Sequence, residues 1–172
     1  AAPVLVALGA VVVLGASGAL VDGSDAGELT TTWTSDATVP SDSNHHELAV
    51  GAVDGDQRVF APISSTRAVD ACALVAFDAT DGAERWRDAV PAANCTVHAV
   101  ADVTVADYDR DGTTEVLATT TEREVVAYAP GGAVEREWSL SAYGYTKPIV
   151  ANVTGDATPE VVVVDSRGLV QV

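Results

Sequence analysis

Leu74–Trp86 reads LVAFDATDGAERW, and Val125–Trp138 reads VVAYAPGGAVEREW. Each begins with a four-residue apolar run, passes through a glycine turn (Gly82; Gly131 and Gly132) and finishes in a polar run that reaches tryptophan. Short runs of Val, Ala and aromatic residues bounded by Asp-Gly or Pro-Gly-Gly are strand and hairpin chemistry. Two copies of one pattern in 172 residues call for a test of internal repetition before anything else.

Working outward, the same order recurs. VFAP (Val59–Pro62), VLAT (Val116–Thr119) and VVVV (Val161–Val164) form a first series, and LVAF, VVAY and LVQV (Leu169–Val172) form a second. The paired starts lie 15, 9 and 8 residues apart, so each pair reads as a hairpin, with an insertion around Thr66–Cys72 in the first copy. DAGELTTTW places Gly27 six residues before Trp33, the spacing of Gly132 to Trp138, and the three tryptophans are 53 and 52 residues apart. Beyond residue 22 no window keeps apolar residues at helical spacing. Short four-stranded units at this period predict an all-β chain of β-propeller blades, with a β-sandwich as the alternative. Residues 22–172 supply about three blades. Closed rings typically use four to eight, so the expectation is a partial ring, completed by further blades or by other chains.

One loop carries chemistry. Ala106–Val116 reads ADYDRDGTTEV, with Asp107, Asp109, Asp111 and Glu115 at positions 1, 3, 5 and 9, and Gly112 at position 6. Alternate side chains of a tight loop can converge, and clustered carboxylates repel one another unless a cation neutralises them. All-oxygen ligation around a glycine turn suits Ca²⁺ rather than Zn²⁺. Thr113 is expected to add its backbone carbonyl. The alternative is a solvated acidic turn. The aligned ANVTGDATPEV replaces two of the acids, with Asn152, Thr154, Asp156 and Glu160 in the four positions, and predicts weak binding or none. In GAVDGDQRVF, Asp54 and Asp56 precede the strand, but Arg58 sits where a ligand is wanted.

Asp-x-Asp-x-Asp-Gly-x-x-Glu before an apolar strand resembles the FG-GAP, integrin-alpha type of propeller repeat, which implies Ca²⁺ in the hairpin between the first two strands of a blade. The strand, glycine turn and tryptophan of LVAFDATDGAERW and VVAYAPGGAVEREW resemble the PQQ-like propeller repeat. Together these resemblances cover roughly residues 24–172.

Composition bounds the setting. Against 25 acidic residues stand 9 basic ones, a formal charge of −16, so there is no basic stripe for phosphate and no nucleic-acid partner is expected. Sixteen Asp, eight Arg and the single Lys147 look like the surface of a salt-adapted, haloarchaeal-like protein, the alternative being an ordinary acidic secreted domain. Ala1–Val21 carries no charge and is long enough to cross a bilayer as a helix. Residues 1–21 are therefore expected to be a signal peptide or membrane anchor, the alternative being a buried core segment, with 22–172 as the repeat region outside the cell. Cys72 and Cys95 have no metal-ligand spacing, and an exported chain would favour joining them.

No nucleophile or general base is nominated, because GxSxG, HExxH, Walker and GxGxxG patterns are absent. His45 and His46 read as a polar linker entering a strand, since neighbours on a strand face opposite ways. His98 reads as a half-buried strand residue. The expected function is a non-catalytic, calcium-binding, cell-surface propeller acting on a protein or glycan ligand. The alternative is the propeller of a secreted enzyme, such as a PQQ-dependent dehydrogenase or a polysaccharide-acting enzyme.

Overall fold

The computed structural model describes residues 30–35, 43–66, 68 and 70–172. The chain divides into two units, Ala1–Thr32 and Trp33–Val172. Of the first, only residues 30–32 are described, and they are exposed and outside regular structure. The segment 1–21, expected to be a signal or anchor, lies outside the described residues.

The second unit consists of three antiparallel sheets, and the described residues contain no helix. The first sheet holds β1 (Ser43–His45), β2 (Ala49–Val53), β3 (Asp56–Ser65), β4 (Ala73–Asp78) and β5 (Glu84–Ala89). The long β3 takes β2 along Asp56–Phe60 and β1 along Ile63–Ser65, so two short strands share one edge. The second sheet is β6 (Thr104–Ala106), β7 (Glu115–Thr120), β8 (Glu124–Tyr128) and β9 (Val134–Ser139), in that order. The third is β10 (Ile149–Ala151), β11 (Glu160–Val164) and β12 (Val170–Gln171). These are propeller blades, and each expected hairpin forms: β3 with β4, β7 with β8, and β11 with β12. The blades are not uniformly four-stranded: the first divides its inner edge between β1 and β2, and the third has three described strands.

Face-to-face stacking explains why the central strands read as unbroken apolar runs. All of β7 and nearly all of β4 and β8 are buried: the first and third blades cover the two faces of the second, and Trp33 packs on the face of the first blade turned away from the second. The outer strands β5 and β9 are polar and mostly exposed, apart from half-buried positions that include Trp86 and Trp138. Phe60, Leu74 and Ala76 of the first blade form one cluster with Val116, Ala118, Val126 and Tyr128 of the second. Val125, Leu140 and Val163, with Trp138 and Val161, continue the packing toward the third. Both complete hairpins shift register at the same place, between Ala76 and Phe77 and between Ala127 and Tyr128, so the repeat extends to its β-bulge.

The tryptophans are expected to end strands; instead they join blades. Trp33 lies outside any strand, β5 runs three residues past Trp86, and β9 runs one past Trp138. The Trp33 indole donates to the Ala79 carbonyl at 2.8 Å and its ring lies against Gly82, where a Cβ would stand 2.5 Å from it. Trp86 repeats the arrangement one blade on, donating to the Pro130 carbonyl at 3.2 Å and covering Gly132, where a Cβ would meet the ring at 2.6 Å. Pro130 also accepts from Arg58 at 2.5 Å. Trp86 stacks on Tyr128, centroids 5.5 Å apart, and Tyr128 donates its hydroxyl to Asp88 at 2.6 Å. Burial, with Asp88 beside it, holds the Tyr128 hydroxyl far above its ordinary pKa.

Cys72 and Cys95 are joined as a disulfide, with Cα atoms 5.4 Å apart. The bridge ties the end of the inserted β3–β4 connection to the connection between the first two blades. No free cysteine remains.

Gly55 and Gly132 both need positive φ, 82° and 88°, but only at Gly132 does a Cβ meet another side chain. Gly132→Ala should therefore destabilise by about 1–3 kcal/mol more than Gly55→Ala in urea denaturation; equal losses would show that the indole is not seated on the glycine. Reduction of Cys72–Cys95 should lower stability by about 3 kcal/mol, read as a fall in the denaturation midpoint.

Candidate metal centre

The carboxylate loop connects β6 to β7. Ala106 pairs with Glu115 across the ladder, so Asp107 and Glu115 start the loop as neighbours, with seven residues between them. Arg110 and Gly112 take positive φ, 63° and 94°, and turn the chain tightly. The carboxylates then hold the loop from inside by accepting backbone N–H groups. Asp107 accepts from Gly112 at 3.1 Å, Asp109 from Asp111 at 3.2 Å, and Glu115 from Tyr108 at 3.2 Å.

Three of the expected ligands converge. Asp107, Asp109 and Glu115 each bring one oxygen to within 4.8 Å of the others. Oxygens bound to Ca²⁺ at 2.3–2.6 Å are at most about 5 Å apart, so the spread suits one ion. Asp107 Oδ1 is buried and accepts no hydrogen bond, the sole such side-chain atom found among the described residues. An unpartnered buried carboxylate oxygen is costly, and a cation is the partner this donor set fits. Glu115 is 1% exposed, and burial, reinforced by Glu135, Asp109 and Asp111, pushes its carboxyl up to about 7 despite the Tyr108 N–H. Asp111 is not among the three converging side chains: Thr113 N–H donates to it at 2.6 Å, which holds the exposed Asp111 carboxyl below its usual range.

The third blade builds a similar loop and fills it differently. Val153 N–H donates to Glu160 at 2.8 Å, as Tyr108 does to Glu115, and Gly155 N–H donates to Asn152 at 2.7 Å, as Gly112 does to Asp107. Here the interior contains donors of its own. The Thr154 hydroxyl donates to Glu160 at 2.8 Å, and the Asn152 amide donates to the Asp156 carbonyl. In the first blade no such loop exists: Val53 pairs directly with Asp56 across an Asp54-Gly55 turn, and Arg58 reaches Pro130 instead. Arg110 donates to the Ala157 carbonyl, linking the carboxylate loop to its counterpart in the third blade.

Sequence reasoning misses one grouping. His98, expected on a strand, lies in a turn, where its ring hydrogen-bonds both His46 and Tyr145. The intervals of 52 and 47 residues are close to the repeat period, the one signal in the sequence that links these positions.

The PQQ-like repeat profile described as outer membrane protein assembly factor BamB matches residues 1–167. The chain belongs to this family. The three antiparallel sheets are consistent with PQQ-like propeller repeats. No curated protein matches the chain.

If internal donors replace a cation in the third blade, Asn152→Asp combined with Thr154→Asp should add one calcium equivalent in calorimetric titration. Unchanged stoichiometry would refute this account of the difference between the loops.

Proposed function

We propose that the chain is a non-catalytic, extracellular or cell-surface propeller module whose β6–β7 loop binds Ca²⁺ and which presents its loops to a protein or glycan ligand. The observation that carries the reading is the convergence of Asp107, Asp109 and Glu115 on one point beside the unpartnered Asp107 oxygen. Asp111 and Thr113 complete the coordination from the exposed side of the loop. With its charge offset by the ion, the loop stiffens the first hairpin of the second blade. The disulfide supports an oxidising compartment, and the −16 charge supports a strongly hydrated, salt-adapted surface. Residues 1–21 serve as the export signal or membrane anchor. An assembly factor is the name that the matching family carries, and it supports a binding role over an enzymatic one.

The ring is completed by further blades or by other chains. A groove of about 340 Å³ opens beside Trp138, between the second and third blades, lined by Tyr108, Trp138, Leu140, Pro159, Val161 and Val163 among others. Trp33 and Trp86 each seat on a glycine turn that follows the third strand of the next blade.

Calcium titration should give a Kd on the order of 10⁻⁴ to 10⁻³ M, as for extracellular modules. At 10 mM that affinity adds about 1.4–2.7 kcal/mol to folding stability. Asp109→Ala with Asp111→Ala, and separately Glu115→Gln, should remove both the heat signal and the stabilisation. Unchanged binding in these variants would overturn the assignment.

A further inference from the structure

A second convergence of titratable side chains draws on three connections outside the carboxylate loop. His46, between β1 and β2, places Nε2 2.8 Å from Nδ1 of His98, in the β5–β6 connection. The far nitrogen of each ring is also held. His46 Nδ1 lies 3.2 Å from Asp102 Oδ1, and His98 Nε2 lies 2.8 Å from the hydroxyl of Tyr145, in the β9–β10 connection. Asp102 Oδ1 is itself fixed by the Glu47 N–H at 2.9 Å.

The partners determine the protons. Ionised Asp102 only accepts, so His46 carries its proton on Nδ1 and turns the lone pair of Nε2 toward His98. His98 fills the gap with its Nδ1 proton, leaving Nε2 to accept from Tyr145. One proton therefore sits between two imidazole nitrogens whose far sides are anchored by a carboxylate and a hydroxyl, as the outer partners of metal-bound histidines are. A metal ion bonded to both nitrogens at about 2.0–2.1 Å lies to one side of the line between them, and it can replace the hydrogen bond if His98 moves its proton to Nε2 and Tyr145 becomes the acceptor. Tyr145 is 42% exposed, so its O–H is free to turn to solvent.

Separation selects the metal. With metal–nitrogen bonds of about 2.0–2.1 Å, two ligands at 90° are about 2.9 Å apart, whereas a tetrahedral pair needs about 3.3 Å. Held by its hydrogen bond at 2.8 Å, the pair has to open by only about 0.1 Å for the right-angled arrangement of tetragonal Cu²⁺ or Ni²⁺ and by about 0.5 Å for a tetrahedral one. Both imidazoles are partly exposed, and water supplies the remaining ligands. Burial, with His46 nearby, also lowers the proton affinity of His98 and favours the neutral ring that a metal requires.

We propose that His46 and His98 form a two-imidazole site for Cu²⁺ or Ni²⁺, with Asp102 and Tyr145 as positioning residues that join three inter-strand connections around it. The test is Cu²⁺ titration of the full chain in 10 mM Ca²⁺, which occupies the carboxylates, followed by calorimetry and electron paramagnetic resonance. One equivalent with nitrogen couplings is expected. His46→Gln and His98→Gln should each weaken it by more than about 100-fold, and Asp102→Asn by about 10–100-fold with an altered spectrum. Far-UV circular dichroism checks each variant's fold, and Asp102→Asn provides the reading if a histidine variant fails to fold. Oxygen-only coordination, or affinity unchanged across the variants, would show a hydrogen-bonded histidine pair only and overturn the proposal.

Discussion

Contact between an indole ring and a glycine backbone joins one blade to the next, and the rest of the architecture depends on it. A single blade has two apolar faces and can bury neither by itself. Trp86 leaves the polar outer strand of its own sheet, covers Gly132 of the next, and donates to the Pro130 carbonyl in the same turn. The contact is specific because it combines a shape requirement, the missing Cβ, with a directional one, the carbonyl. Trp33 makes the same pair of contacts with Gly82 and Ala79, so the spacing of the tryptophans in sequence becomes the spacing of the blades. Phe60 and Tyr128 then close around Trp86, and the apolar runs on either side find their partners.

Two neighbouring blades solve one local problem by different means. The β6–β7 and β10–β11 loops place a glutamate at the start of the second strand and hold it with a backbone N–H from near the start of the loop. What differs is the source of positive character inside. Asn152 and Thr154 bring an amide and a hydroxyl, and Glu160 is held below its ordinary carboxylate range by the N–H groups and hydroxyl around it. Asp107 and Asp109 bring only acceptors, and Glu115 is held above that range. A change of side chain at two positions decides whether such a loop brings donors of its own or only acceptors.

Much of this could be read from the residues. LVAF and VVAY announced their strands because strands covered on both faces lose the polar alternation, and the intervals between the tryptophans gave the blade count. The convergence of Asp107, Asp109 and Glu115 follows from alternate spacing and a glycine turn. The inner strands β2, β6 and β10 were harder, since three to five residues are too few to show a period. The blade-joining role of the tryptophans was hidden because it depends on what a neighbouring sheet offers, which no local window contains. His46 and His98 failed for the same reason: each looks ordinary among its sequence neighbours, and only the stacking of sheets brings them together.

The disulfide changes how the chain carries mechanical load. Cys72 precedes β4 and Cys95 follows β5, so the whole outer hairpin of the first blade, Trp86 included, lies inside the covalent loop. Tension along the backbone passes from one sulfur to the other and leaves the enclosed segment slack. Pulling on the ends of the chain can then open the β3–β4 connection or the approach to β6, while the strand carrying Trp86 is shielded from direct extension. The bridge protects the hairpin that couples the first blade to the second, and a propeller under tension would yield elsewhere first.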